Sequence, residues 1–259
     1  MKVGLIVSTG FDLSKIAEQW DGINCETQWG NIPFRKANVG DLTIYAATRN
    51  GASSCVPPHK VNYKGIMASF KKLGIAQIVS SSVVGSLNPD IRPGDVVILD
   101  QFLDFTKRTP FTAFEHEFAF CDFTEPYCSR LRALLIGVCG QLEIEHHKSG
   151  CYVGVDGPRY ETAAEVRMFH RLGGDVVGMT NVQECIMARE SGICYSSAAL
   201  VVNYGAGIAG PVTRKDCYEQ TLKKIGELED LIAGVIVQLR NVHVECSCSQ
   251  VPLDLITYK

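Results

Sequence analysis

The chain has 259 residues, 46% of them hydrophobic, enough to bury one sizeable core, and its length suits a single α/β domain spanning 1–259. Lys and Arg number 25 against 28 Asp and Glu, a formal charge of −3 with no block of one sign, which argues against nucleic acid or a membrane surface as a main partner. The N-terminus lacks a signal peptide's long apolar stretch and cleavage site, and no run approaches the ~18 apolar residues of a membrane span, so a cytoplasmic protein is expected.

Val3 to Val7 reads as a first buried strand, closed by the Ser8-Thr9-Gly10 turn and followed by an amphipathic helix from about Leu13. Strand-like apolar runs recur at Leu42 to Ala47, Ile75 to Val79, Val96 to Leu99, Tyr152 to Val155, Val176 to Met179 and Cys194 to Val202. Helical patterns lie between several of them, at Tyr63 to Leu73, Ser129 to Cys139, Ala163 to Leu172 and Gln183 to Ser191. A last helix, Cys217 to Leu239, carries Leu222, Ile225, Leu228, Leu231 and Ile232 at helical spacing over a polar face. This alternation predicts a single-domain three-layer α/β/α fold around a central mixed, mostly parallel sheet. The stretch from Phe105 to Tyr127 breaks the rhythm, since its aromatic residues with Pro110 and Pro126 are too irregular for one helix and too apolar for a solvated loop.

The 11 cysteines have no paired C-x-x-C zinc spacing, and an odd count excludes complete pairing within the chain. Most read as small buried apolar residues. Cys246-Ser247-Cys248 stands apart: two thiols flanking one residue can close a strained, reducible bridge or remain exposed and free. His116, His146, His147, His170 and His243 show no metal-like spacing, so no metal is expected. His59 reads as an ordinary surface histidine, and Asp156 as a structural acceptor.

Chemistry concentrates in Gly178-Met179-Thr180-Asn181-Val182-Gln183-Glu184 and in the apolar run Ala198 to Val202 that ends on Asn203. The run reads as a buried strand, which puts Asn203 just past its carboxyl end, where open α/β sheets present ligand-contacting residues. A purine-sized polar ligand can be read there. Backbone N–H groups and hydroxyls in a Gly-bearing strand-to-helix turn make an anion cradle, and the Arg49 guanidinium can hold phosphate through a bidentate fork. No Ser-His-Asp or Cys-His signature is present.

These segments resemble the trimeric purine nucleoside phosphorylase family, in particular its methylthioadenosine and methylthioinosine phosphorylase branch. Gly4 to Gly10, Arg49 with Pro57-Pro58-His59-Lys60-Val61-Asn62-Tyr63, Ser81 to Leu87, Arg92-Pro93-Gly94-Asp95, Asp100-Gln101-Phe102 and Asp156 to Thr162 follow in family order. The resemblance implies phosphate contacts from Thr9, Arg49, Asn50, Ser82, Val83 and Thr180. It implies Met179 under the ribose, Tyr160 stacked on the base, and Asn203 with Tyr204 and Gly205 at the purine, Arg49 and Asn203 being the catalytic pair. An amide can donate to O6 and accept from a protonated N7, whereas an ionised Asp only accepts, so Asn203 points to a 6-oxopurine.

The implied reaction is attack of phosphate, a co-substrate with no cofactor, on C1′ of a 6-oxopurine nucleoside, including 5′-methylthioinosine. The products are free purine and a pentose 1-phosphate, and the implied assembly is a homotrimer or homohexamer. Phe118 and Phe120 favour a methylthio group, and the aromatic stretch is implied at a subunit boundary. Some heat-adapted archaeal relatives carry such a C-terminal Cys-X-Cys and place a disulfide where Cys128 and Cys194 stand. The chain also departs from the family. The usual Arg-His-Gly is Arg49-Asn50-Gly51, a further His is missing, and the Gly-Gly-Thr-Gly loop is Val7-Ser8-Thr9-Gly10. Asn50 and Ser54 hydrogen-bond but neither carries charge or moves a proton, which leaves hydrolysis by water, or binding without turnover, as alternative readings.

Overall fold

The computed structural model describes residues 1–8, 10–51, 56–107, 112–114, 117–240, 246–250 and 253–257, with the backbone alone for 117–119 and 253–257. Thr9, Ser54, Pro110, His116, His243 and the Phe118 side chain therefore lie outside the described residues.

Strand β1 (Lys2–Val7) sends Val3, Leu5 and Val7 to one face of the sheet and Ile6 to the other, the period-two pattern of a strand covered on both sides. The helix predicted from Leu13 does not form. Leu13–Lys15 makes a single 3-10 turn, in which Asp12 accepts from the Ser14 N–H and the Trp20 indole donates to the Leu13 and Ala17 carbonyls. Asp12 caps this turn and the Ala17 N–H still reaches the Leu13 carbonyl at 3.2 Å, but the Trp20 indole takes the Ala17 carbonyl, which a longer helix needs for its ladder. The chain enters instead a hairpin that hydropathy did not reveal, β2 (Asp21–Thr27) and β3 (Gly30–Val39), followed by β4 (Leu42–Thr48). Gly30 opens β3 at φ +109°, a conformation that suits glycine.

Beyond it come α1 (Tyr63–Lys72), β5 (Gln77–Ser86), β6 (Val96–Ile98), β7 (Gln101–Asp104), β8 (Glu117–Cys121) and α2 (Ser129–Gln141). The remainder is β9 (His146–His147), β10 (Cys151–Gly154), α3 (Ala163–Arg171), β11 (Val176–Gly178), α4 (Asn181–Glu190), β12 (Cys194–Tyr204), α5 (Arg214–Leu239) and β13 (Leu253–Thr257). The five helices match their predicted positions closely. Strand β5 does not: it runs past Val79 through the buried Ser80, Ser81 and Ser82, whose polarity hid the strand from a hydropathy reading.

The main sheet runs β2-β3-β4-β1-β5-β11-β10-β7, with β12, β6 and β9 branching from β5, and β8 and β13 form a separate antiparallel pair. Pairing is parallel for β1 with β4 and β5, β5 with β12, and β10 with β11 and β7; β11 meets β5 antiparallel. Helices α2 and α5 cover one face through Leu131, Leu135, Leu231 and Ile232, and α1 and α4 cover the other through Met67, Phe70, Val182 and Met187. The three-layer α/β/α fold with a mixed, mostly parallel sheet is thus present as predicted.

One edge of β5 follows β12 along its length. Its other edge takes β1 at Ile78–Ser80 and β11 only at Gly85–Ser86. Between them β1 and β11 diverge, and a crevice opens beside Ser81 to Val84, the kind of switch point where α/β sheets bind ligands.

The aromatic stretch is partly core: Tyr127 is buried against Tyr195, and Phe105 packs on Phe169 at 4.8 Å, while Phe120 is 60% exposed. Neither the Cys246–Cys248 bridge nor the Cys128–Cys194 bridge, both left open by the sequence, is present. Cys128, Cys194 and Cys248 are buried free thiols and Cys246 is a half-buried one, so the Cys-Ser-Cys pair is not an exposed spectator either. No helix among the described residues is long and apolar enough to cross a membrane.

Candidate active site

A cavity of about 340 Å³ occupies the crevice, large enough for a small-molecule ligand. Of the predicted site residues it is lined by Arg49, Asn50, Val83, Tyr160, Met179, Thr180 and Asn203, joined by Ser8, Glu161, Arg214 and Cys217. Val83 is the one exposed position of β5, 37% accessible in an otherwise buried strand, because its side chain faces this space. Three predicted residues do not border the cavity. Ser82 is buried within β5 just before Val83, and Tyr204 ends β12 just after Asn203, neither of them at the cavity wall. Gly205 donates its N–H to the Ser86 carbonyl, and a Cβ there would press on that carbonyl and on Val166, so its smallness serves packing.

The Arg49 fork predicted for phosphate is already engaged. Its Nε and Nη2 both donate to Glu184, and Nη2 also donates to Ser80 Oγ and the Ser81 carbonyl, each at 2.9 Å. The Ser81 carbonyl is available because β5 lacks a strand neighbour there. Glu184 accepts in addition from Ser80 Oγ at 2.9 Å and Tyr195 Oη at 2.8 Å. Behind it, Asn181 Nδ2 donates to Tyr195 Oη and Tyr127 Oη donates to Asn181 Oδ1, so a buried polar network backs the ion pair. Burial opposes the charge on Arg49, but Glu184 outweighs it and the guanidinium is held above its ordinary value. Burial pushes the Tyr127 and Tyr195 phenols well up, keeping both as donors at neutral pH. Arg49 Nη1 has no acceptor among the described residues.

Thr180 precedes α4 and makes no side-chain capping bond, and its N–H donates to Tyr152 Oη at 3.1 Å. The start of α4 brings the positive end of a helix dipole to the adjoining cavity wall, while the charge of Arg49 is balanced by Glu184. Asn50 is less free than the sequence suggested: its Nδ2 donates to the Val56 carbonyl at 2.7 Å and closes the loop after β4.

At the other group of lining residues, a register irregularity of β12 between Val201 and Asn203 presents Asn203. Its Nδ2 donates to the Tyr204 carbonyl at 2.8 Å, and Cys217 Sγ donates to its Oδ1 at 3.4 Å. An amide has two N–H donors and two acceptor lone pairs, so one of each remains for a ligand. Tyr160 Oη reaches Cys217 Sγ at 3.6 Å, and burial first, then Cys217, pushes the Tyr160 phenol up to about 12. Gly85 lies against this amide: a Cβ there would stand 3.0 Å from Asn203 Nδ2. Gly85→Ala is therefore expected to shift the Asn203 amide and lower kcat/KM roughly tenfold with little change in thermal midpoint, a loss of about 1.4 kcal/mol in transition-state binding. Gly157 stands in the same relation to Met179, since a Cβ there would collide with Met179 Sδ.

Glu184, Tyr195 and Cys217 were not singled out from the sequence as site residues. An acid within the quoted turn segment was the available signal for Glu184; nothing local marks Tyr195 or Cys217, which meet the site only across the fold. His59 is exposed, and Asp156 accepts from the Lys107 N–H at 2.9 Å, as a structural acceptor does.

A family model described as Phosphorylase superfamily matches residues 2–237. The chain belongs to the phosphorylase superfamily. Within the superfamily it is similar to the 6-oxopurine nucleoside phosphorylase of Pyrococcus furiosus, 41% identical over 220 residues that cover 82% of this chain and 83% of that one. It is also similar to the probable S-methyl-5′-thioinosine phosphorylase of Methanopyrus kandleri, 37% identical over 257 residues and 96% of each chain. Among solved structures, methylthioadenosine phosphorylase from Schistosoma mansoni in complex with adenine matches this superfamily member at TM-score 0.88 and 26% identity, covering 94% of this chain and 93% of that one.

Proposed function

We propose that the chain is a purine nucleoside phosphorylase, a pentosyltransferase acting on 6-oxopurine nucleosides, including 5′-methylthioinosine. The observation that carries this reading is that Arg49, Thr180, Met179 and Asn203 border one cavity at the point where β1 and β11 part. A phosphate oxygen bonds to C1′ on the face opposite the base as the C1′–N9 bond breaks, its electron pair leaving with the purine. The base takes a proton from solvent at N7, and the products are free purine and a pentose 1-phosphate. Positioning and electrostatics supply the acceleration, without a protein nucleophile.

In this reading phosphate is a co-substrate and no cofactor takes part. Arg49 and the Thr180 hydroxyl hold its oxygens, with Asn50 and Val83 beside them; Ser82 does not border the cavity and takes no part. Met179 lies under the ribose and Tyr160 along the base. The remaining N–H of Asn203 meets O6, and its Oδ1 accepts from the N7 proton. Exposed Phe120, and Tyr218 at the cavity wall, support a homotrimer or homohexamer in which a neighbour covers the site. We place the enzyme in the cytoplasm. A hydrolytic reading is favoured by one observation, the Asn50 amide tied to Val56 where relatives have an imidazole.

The test is purine release from 5′-methylthioinosine, inosine, guanosine and methylthioadenosine, each with and without phosphate, with the sugar product identified. Phosphate-dependent release from the 6-oxopurines with formation of a sugar 1-phosphate is expected. Equal release without phosphate makes the protein a nucleosidase, and tight binding without release makes it a binding protein.

A further inference from the structure

The cysteine spacing predicts no zinc arrangement, yet the fold gathers four thiols from three distant segments. Cys128 precedes α2, Cys194 opens β12, and Cys246 and Cys248 come from the stretch after α5. Their Sγ atoms all lie within 4.8 Å of one another, and Cys194 and Cys246 approach to 3.1 Å. Zn–S bonds of about 2.3 Å in a tetrahedron set S···S edges of about 3.8 Å, a value inside that range. The set is soft, complete and mostly buried, with no oxygen or nitrogen ligand among it. Four thiolates around a divalent ion leave a net charge of −2, and a buried site of that charge needs cations nearby. Two guanidinium groups meet this need: Arg189 Nη1 donates toward Cys248 Sγ at 3.8 Å, and Arg130 lies beside Cys128, Cys194 and Cys246.

We propose that Cys128, Cys194, Cys246 and Cys248 form a structural tetrathiolate zinc site. On binding, the four thiols release their protons to solvent and form four Zn–S bonds with no change of oxidation state. Closed tetrahedral coordination leaves no position for a substrate, so the ion ties the 246–250 turn to the starts of α2 and β12 rather than acting in the reaction. Strand β12 carries Asn203 at its far end, which makes the staple a support for the cavity wall.

Full-length protein, purified in a phosphine reductant and stripped with a chelator, is titrated with Co²⁺. Tetrahedral thiolate coordination is expected to appear as near-ultraviolet charge-transfer and visible d–d absorption saturating at one equivalent per chain, bleached by Zn²⁺. The thermal midpoint should rise on metal addition. Cys246→Ser and Cys248→Ser should each lose the saturating signature, whereas Cys139→Ser, buried elsewhere, should keep it. Because the wild-type spectrum is read directly, a misfolded variant does not decide the matter. Absence of thiolate-to-cobalt absorption in the reduced wild-type chain overturns the proposal. So does peptide mapping that finds Cys128–Cys194 and Cys246–Cys248 disulfides persisting under the same reductant.

Discussion

Glu184→Gln is expected to destabilise the protein by about 3–5 kcal/mol and to raise the KM for phosphate on the order of a hundredfold, about 2.8 kcal/mol at about 1.4 kcal/mol per decade. The reason is the near-complete burial of both partners, each with a side chain 3% accessible. Removing the carboxylate leaves a guanidinium in the core with only neutral acceptors, Ser80 Oγ and the Ser81 carbonyl among them. Released from Glu184, the guanidinium turns from the orientation in which Arg49 borders the cavity. Glu184 touches no substrate in this account and is a positioning residue. Replacing both partners, Arg49→Met with Glu184→Met, should recover much of the stability, since two apolar groups leave no unpaired buried charge. The double variant should still lack phosphate-dependent turnover. Urea denaturation and phosphate titration measure the two effects separately; a Glu184→Gln enzyme with unchanged phosphate KM would remove Arg49 from the phosphate site.

Asn203→Asp should invert the base preference. The substituted carboxylate accepts at both oxygens, so it loses the donor to O6 and gains an acceptor for a 6-amino group. A buried partner left unsatisfied costs about 1–3 kcal/mol, which predicts a roughly ten- to hundredfold fall in kcat/KM for inosine and 5′-methylthioinosine. Methylthioadenosine should improve in the same variant. Cys217 can still donate to Oδ1, but the bond from Nδ2 to the Tyr204 carbonyl is lost and the new oxygen repels that carbonyl, so a stability loss of about 1–3 kcal/mol should accompany the change. Parallel losses on both base types, with their ratio unchanged, would show that Asn203 holds the strand end and does not read the purine.

The amino-acid sequence by itself determined the helices and the buried strands. The unbroken buried run of Val3 to Val7 and the 3.6-residue spacing of Leu228, Leu231 and Ile232 are local properties that tertiary context did not overturn. Its place just past a strand's carboxyl end marked Asn203, whereas Arg49, Met179 and Thr180 were legible through the family resemblance, since a lone Met reads by itself as core. Where apolar periodicity gave out, the reading failed. The Ser80-Ser81-Ser82 run is strand because β12 supports one of its edges and both faces are covered, and the segment from Leu13 is a turn because Trp20 folds back on it. Tertiary structure alone decided which groups meet. Arg49 and Glu184 are 135 residues apart, Cys217 reaches Asn203 from another element, and four cysteines at positions 128, 194, 246 and 248 come within 4.8 Å. Such pairings carry no periodic signal, since they are set by where β1 and β11 diverge from β5 and by how α4 and α5 pack on opposite faces of the sheet.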